Sequence, residues 1–308
     1  MSKKIHHLHD KFVKASFSDP DRAISFFERF LPDPLLKEID IHSLKVTQES
    51  YIQEDLSEHF SDIVFEVKTL DNEPIDIVLL FEHKSSPDKF VLIQVGHYLF
   101  SHYFKCIIDK KPLKLIIPFI YYQGKKQWEA PHLKALFPKL SDTLGEYIPS
   151  IRHIFIALRS LSEESIENIR NGMMAAAVLA QRSAFDPIKL AADFQRIFTL
   201  FSETKDRGNF LEQLFVYVVN VSDISKFELN EAIESIPSKI KDDIMTTYSR
   251  IRQEGEQIGI QKGIFKNQVQ IVLNCHENKI PVPLIANITQ LSEIEVISIL
   301  KDNGKIIK

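Results

Sequence analysis

The chain is poor in cysteine, tryptophan and glycine, with two, one and nine among 308 residues. Cys106 and Cys275 are too few and too far apart for a disulfide framework or a CxxC zinc site. A reducing compartment is therefore the simpler expectation. Gly124 and Gly145 stand alone, so no glycine-rich loop cradles a phosphate. No apolar run approaches the ~20 residues that a membrane helix needs. The longest candidates, Ile77–Phe81 and Leu115–Tyr122, have the length of strands. The opening MSKKIHHLHDKF has no apolar core of a secretion signal, so cytoplasmic residence without a membrane partner is expected. An excess of one charge is also missing. The formal net charge is −4, with 26% charged and 44% hydrophobic residues, which suits a globular chain with a real core.

Charge is nevertheless uneven. Lys3, Lys4, Lys11 and Lys14 open the chain, and Lys105, Lys110, Lys111, Lys114, Lys125 and Lys126 share one window with the single acid Asp109. Such a face binds phosphates even on an acidic protein, although a solvated lysine surface would look the same.

Hydrophobic spacing organises the chain. The first stretch reads as helix. Asp19-Pro20 starts a helix carrying Ile24, Phe27, Phe30 and Leu31, and Leu31-Pro32-Asp33-Pro34 ends it. Leu44, Val46 and the pair Tyr51-Ile52 suggest a strand. Residues 62–68 alternate in a second strand, Asp71–Pro74 form a turn, and Ile75–Phe81 is a nearly continuous apolar strand of the kind covered on both faces. A helix follows to about Lys105, with Ser86 or Asp88 as caps. Leu113–Tyr122 and Ile151–Leu158 are the next strands. The mixed order argues for an α/β or α+β fold with some parallel pairing. From Ser162 the spacing is helical over Pro187–Phe201, Asn209–Asn220 and Glu228–Ile236, and a long pattern runs from Pro237 to about Asn278. Gly255, Gly259 and Gly263 recur in it every four residues, at about 1 kcal/mol each against alanine. Close helix packing and a flexible link are the two readings. The tail Ile280–Leu300 looks like two short helices around Thr289–Ser292, either a helix-turn-helix fragment or a hairpin capping the long helix. The presumed reading helix holds no arginine.

The chemistry concentrates at Asp62 and Glu82-His83-Lys84. Residues two apart on a strand share a face, so Glu82 and Lys84 project together at the end of an apolar strand. A charged pair there is costly unless it is paired or binds something. A hairpin turning near residue 72.5 puts Asp62 opposite about position 83, beside Glu82. Two carboxylates make a hard oxygen site suited to Mg²⁺ or Mn²⁺. Lys84 would orient water or balance charge on a phosphoryl transition state. With no covalent nucleophile in view, direct attack by water is the natural mechanism. The alternative is a plain Glu82–Lys84 surface salt bridge. On the following helix Gln94, Tyr98, Ser101 and Lys105 recur at i, i+4, i+7 and i+11, a polar stripe that faces either the site or solvent.

Other groups carry less. His97 and His102, five apart, are off the spacing for a shared metal and read as core or partner-facing residues. His6, His7 and His9 cluster at what reads as a mobile terminus, where only adventitious metal binding is expected. Trp128 near Tyr121-Tyr122 reads as a packing aromatic rather than a base-stacking one.

His9-Asp10-Lys11-Phe12, Ser61-Asp62, Phe81-Glu82-His83-Lys84-Ser85-Ser86-Pro87-Asp88 and Tyr98 together resemble the recombination-promoting nuclease (Rpn) family, whose members are often labelled transposases, within the PD-(D/E)XK nuclease superfamily. The resemblance spans nearly the whole chain and is strongest from His9 to Lys105. It implies a restriction-endonuclease-like α/β core with a mixed sheet flanked by helices, an α-helical C-terminal region, and divalent-metal-dependent DNA cleavage linked to recombination or mobile elements. By position it makes Asp62 the metal-binding aspartate and Glu82 and Lys84 the (D/E)xK pair. Gln94 with Tyr98 is similar to a QxxxY helix motif of the superfamily, and His9 and Asp10 match an N-terminal signature that would support the site. Two departures stand out. Lys84 occupies a position where many members carry Gln, which is closer to the superfamily pattern. Ala157-Leu158 stands where members often carry Asp-Leu, which puts activity or its regulation in question. A catalytically impaired DNA-binding or assembly protein, or an RNA-directed nuclease, is the alternative. The expected division is a nuclease core over 1–161, a helical region over 162–236, and a long helix with a hairpin tail over 237–308 that joins a homodimer.

Overall fold

In the computed structural model, the described residues are 3–47, 61–82, 87–130, 132–202, 209–221 and 225–304. The chain divides into two compact units, Met1–Ile244 and Met245–Lys308.

The first unit opens with α1 (Lys3–Phe17), α2 (Pro20–Phe30) and the single turn α3 (Asp33–Leu36). As the sequence indicates, Asp19 caps α2. Its side chain accepts from the Arg22 amide at 3.0 Å, and Pro20 fills the first helical position, where the missing N–H costs nothing. Three strands follow, β1 (Ile39–Thr47), β2 (Ser61–Thr69) and β3 (Pro74–Glu82). The expected extension of the first strand to Tyr51-Ile52 lies outside the described residues. Next come α4 (Val91–Ile108), β4 (Leu115–Tyr122), the turn α5 (Asp142–Gly145) and β5 (Ile154–Ala157). Asp88 is not the N-cap of α4. Its N-cap is Phe90, whose amide donates to the Asp88 carboxylate, two residues earlier, at 2.8 Å. Ser86 lies outside the described residues.

The strands form one mixed sheet in the order β1-β2-β3-β4-β5. β1, β2 and β3 are antiparallel neighbours, and β3, β4 and β5 run parallel. The apolar β3 is therefore central, with a helix layer on each face. On one face Val64, Ile116 and Ile120 pack against Val91, Leu92, Val95 and Tyr98 of α4. On the other, Phe65, Phe119 and Tyr121 meet Phe17, Phe26 and Phe27 edge to face. The alternation of neighbouring positions between these two layers is the period-two pattern of the sequence.

The unit continues through α6 (Glu163–Glu167), α7 (Gly172–Ser183), α8 (Pro187–Ser202), α9 (Phe210–Val221), α10 (Lys226–Glu234) and the start of α11 (Ser238–Glu277). α7 is buried at every position from Met173 to Ser183. Its alanines let α2, α8 and α9 approach closely, which explains the alanine-rich texture. In the second unit α12 (Val282–Thr289) and α13 (Glu293–Asp302) cross at 102°. They bury Ile285, Val296 and Leu300 against Val272 near the end of α11. α13 opens with a capping box, Ser292 with Glu295. No single helix is long and apolar enough to cross a membrane.

Candidate functional site

The β2–β3 hairpin turns more tightly than expected. The Asn72 amide donates to the Thr69 carbonyl and the Thr69 amide to the Glu73 carbonyl, both at 2.9 Å. Asn72 takes the left-handed conformation at φ 68°, which asparagine tolerates better than most residues. The turn therefore centres on residue 71, and Lys68 pairs with Pro74. Asp62 lies opposite Leu80, and not near 83 as expected from the sequence. This correction favours a shared site. Position 82 lies two beyond 80, so 62 and 82 are diagonal positions on one face, about 7–8 Å apart at the backbone. A partner at 83 would have put position 62 on the opposite face from Glu82.

Position 82 ends the central strand. It pairs with Tyr122 on β4, which pairs with Ala157 on β5. Glu82, Tyr122 and Ala157 thus occupy one rung, and an aspartate at 157 would stand roughly 10 Å from Glu82 across two strand spacings. Lys84 and His83 lie outside the described residues, as do the side chains of Asp62 and Glu82.

Position 62 falls on the face that α4 covers, since Val64, two residues on, packs with Tyr98. Of the polar stripe, Tyr98 is buried, Gln94 and Ser101 are half-buried, and Lys105 is exposed. The stripe is therefore not a solvent face over its first two turns. Gln94 Oε1 is a buried acceptor with no hydrogen-bond partner among the described residues. Carboxylate residues at two diagonal positions on one face are of the oxygen-donor type that a hard divalent cation takes. No group of three His, Cys, Asp or Glu side chains able to hold a metal occurs among the described residues.

Two polar groupings escaped the sequence reading. At the other end of the same face Glu66 pairs directly with Asp76 across the hairpin. The Lys114 ammonium contacts Glu66 and lies 3.6 Å from Asp76, which is 1% exposed. Burial alone would lower the Lys114 pKa, but the Glu66 hydrogen bond and the Asp76 charge outweigh it and raise it. The sequence clue was an aspartate within an apolar strand. The second grouping lies on the opposite face. The Gln123 amide donates to the Gln181 carbonyl at 2.8 Å and to the Tyr217 hydroxyl at 2.9 Å. The Tyr121 hydroxyl donates to Gln181 Oε1 at 3.0 Å. His9 Nδ1 is 2.8 Å from the Tyr217 hydroxyl. His9 is thus wholly buried in α1, contrary to its expected place in a mobile terminus. The side chains of His6 and His7 lie outside the described residues. Burial raises both phenol pKa values, so Tyr121 and Tyr217 stay neutral. Helices α1, α7 and α9 are tied in this way to the end of β4, beside the rung of Glu82.

Trp128 packs edge-on against Tyr122, with ring centres 4.8 Å apart, and against Phe155 at 5.4 Å, as its packing reading requires. His102 is buried and His97 exposed.

A mixed five-stranded sheet between two helix layers, with acidic residues at diagonal positions where β2 begins and β3 ends, defines an α/β protein with an acidic strand-end pair. Its sequence matches the family model described as "Putative transposase, YhgA-like" over residues 7–213, and the chain belongs to that family. It is similar to recombination-promoting nuclease RpnA of Escherichia coli strain K12, 28% identical with 94% of this chain and 95% of the relative aligned. It is also similar to the inactive recombination-promoting nuclease-like protein RpnE of the same strain, 27% identical over 94% and 96%. Recombination-promoting nuclease RpnD of Escherichia coli O157:H7 is 25% identical over 80% and 94%. No solved structure matches.

Proposed function

We propose that the protein is a divalent-metal-dependent DNA endonuclease of the PD-(D/E)XK type, acting in recombination or on mobile elements within the cytoplasm. The observation that carries this reading is the hairpin register, which makes positions 62 and 82 diagonal partners on one face. The nuclease names of RpnA and RpnD support it. Asp62 and Glu82 would hold Mg²⁺ or Mn²⁺. When bound, such a cation polarises a phosphoryl oxygen and eases loss of a proton from water. Lys84 would balance charge as the phosphate is attacked, while Gln94 and Tyr98 would orient the acidic end from α4. The exposed Lys105, Lys110, Lys111, Lys125 and Lys126 would meet the DNA backbone. Self-association through the C-terminal helix is part of this reading, since an added Cβ at Gly255, Gly259 or Gly263 meets nothing within 4 Å and Ile260 and Ile264 beside them are exposed.

The test is plasmid cleavage by purified protein in Mg²⁺, with EDTA and with Asp62→Ala and Glu82→Ala. The expected result is cutting by the wild type alone, and equal cutting by both variants would sink the assignment. A second reading, a DNA-binding or assembly protein with an impaired site, draws on Ala157 at the Glu82 rung and on the inactive label of RpnE. It calls for salt-sensitive duplex binding without cleavage. RNA digested in preference to DNA would redirect the assignment to an RNA-directed nuclease.

A further inference from the structure

We infer that the outer face of α4 is an interface between two copies of this chain. α4 has two apolar seams, and among the described residues only one is covered. Val91, Val95, Tyr98, His102 and Cys106 are buried. On the other side Ile93, Phe100, Phe104 and Ile107 are exposed by 50%, 70%, 66% and 62%. His97 is also exposed. A helix that is apolar all round belongs inside a core, so half of this one is open to water in the single chain.

The pattern of the open seam points to the occupant. Positions 93, 97, 100, 104 and 107 are spaced by four, three, four and three residues, which is the a/d spacing of a helix–helix seam. The set is also close to self-complementary when reversed about Phe100. Ile93 then meets Ile107, and Phe100 meets its own copy. An interface with a twofold axis needs such a self-complementary patch. The four apolar residues and Ile108, 65% exposed, leave on the order of 600 Å² open, near the ~800 Å² per partner of a stable interface. Charge is compatible with an antiparallel pairing. Lys105, Lys110 and Lys111 lie at the C-terminal end of α4. Antiparallel helices keep the two lysine groups roughly 25 Å apart, beyond the ~8 Å range of unscreened repulsion at physiological salt. This inference does not depend on the nuclease reading.

The test is the solution mass of the full chain by light scattering across a hundredfold concentration range. The wild type is expected at twice the 35.6 kDa chain mass or a multiple of it. Phe100→Glu with Phe104→Glu should halve that mass and leave the circular dichroism of the folded chain unchanged, because neither side chain is buried within the single chain. Phe100→Cys should form a disulfide-linked pair under mild oxidation, while Lys110→Cys should not. Equal masses for the wild type and the double variant would overturn the inference, as would a wild type that is monomeric at every concentration. Halving by Ile260→Glu with Ile264→Glu but not by the α4 variant would move the interface to α11. A monomer that binds anionic vesicles through Phe100 would make the face a lipid-binding one instead.

Discussion

One end of the β2–β3 hairpin carries Asp62 and Glu82 as diagonal positions on one face, with Lys84 two residues further along the chain. The other end of the same face, four residues along β2, carries Glu66 and Asp76 directly opposite each other, with Lys114 on both. The residue types match, and the surroundings differ. Glu66 and Asp76 share Lys114, the residue before β4, and Asp76 is wholly buried, so that cluster is an internally braced part of the core boundary. Asp62 and Glu82 stand at the shared end of β2 and β3, on the face that α4 covers. Two acids and a lysine form a structural brace where the fold itself brings the lysine onto both acids, as Lys114 does; at the other end the backbone register sets the two acids as diagonal neighbours on one face.

Breaking the two ends separately should therefore give opposite phenotypes. At the first end Asp62→Ala or Glu82→Ala should lower cleavage by about 10²–10³ or more and leave Tm within about 1–2 °C. A large fall in Tm would make this end structural as well. At the second end Lys114→Ala should cost about 2–3 kcal/mol, because it strips a buried carboxylate of its counter-charge. That is a fall of roughly 5–10 °C in Tm for a chain of this size, with cleavage at 20 °C retained. The sign of its pH dependence follows from the raised pKa of Lys114. Its stabilisation is complete below the ordinary value of 10.5 and is lost as pH climbs past the raised one. The Tm gap between wild type and Lys114→Ala should therefore hold through pH 9 and narrow only above about 10.5. A gap that narrows between pH 6 and 8 would point to another group.

A smaller effect tests what supports the rung of Glu82. An added Cβ at Gly124 lies 1.8 Å from the Tyr122 hydroxyl, and the Tyr122 ring is wedged between Trp128 and Phe155. Gly124→Ala should cost about 1–3 kcal/mol by overpacking, visible in the denaturant midpoint. An unchanged midpoint would mean that the ring moves freely. The smallest effect is a gain. Ala157→Asp adds a carboxylate to the rung of Glu82 and Tyr122 and should raise metal-dependent cleavage a few-fold. A loss of cleavage would show that the extra charge competes with the site.

Local chemistry made much of this visible in the sequence. The proline and aspartate signals bounded α2, alternation exposed β2, and the apolar run of β3 marked the central strand. The turn register was out of reach, because Asn72 tightens the hairpin through a left-handed conformation that composition alone does not dictate. Asp76 and Lys114 are 38 residues apart in sequence, so only the parallel pairing of β3 with β4 reveals their ion pair. His9 was misread for the same reason. Its partner Tyr217 lies 208 residues away, and a histidine near a chain end gives no sign of burial. Asp62 and Glu82 stood out because both belong to one hairpin, where counting residues almost suffices. The outer seam of α4 went unnoticed because apolar spacing does not say which side a fold covers.

Crystals soaked in Mn²⁺ and measured at a wavelength sensitive to manganese test the central claim most directly. The account predicts an anomalous peak between Asp62 and Glu82 that disappears in Glu82→Ala, with nothing at Glu66 and Asp76. A peak at the Lys114 end, or none between Asp62 and Glu82 in a preparation that cleaves DNA, would contradict it.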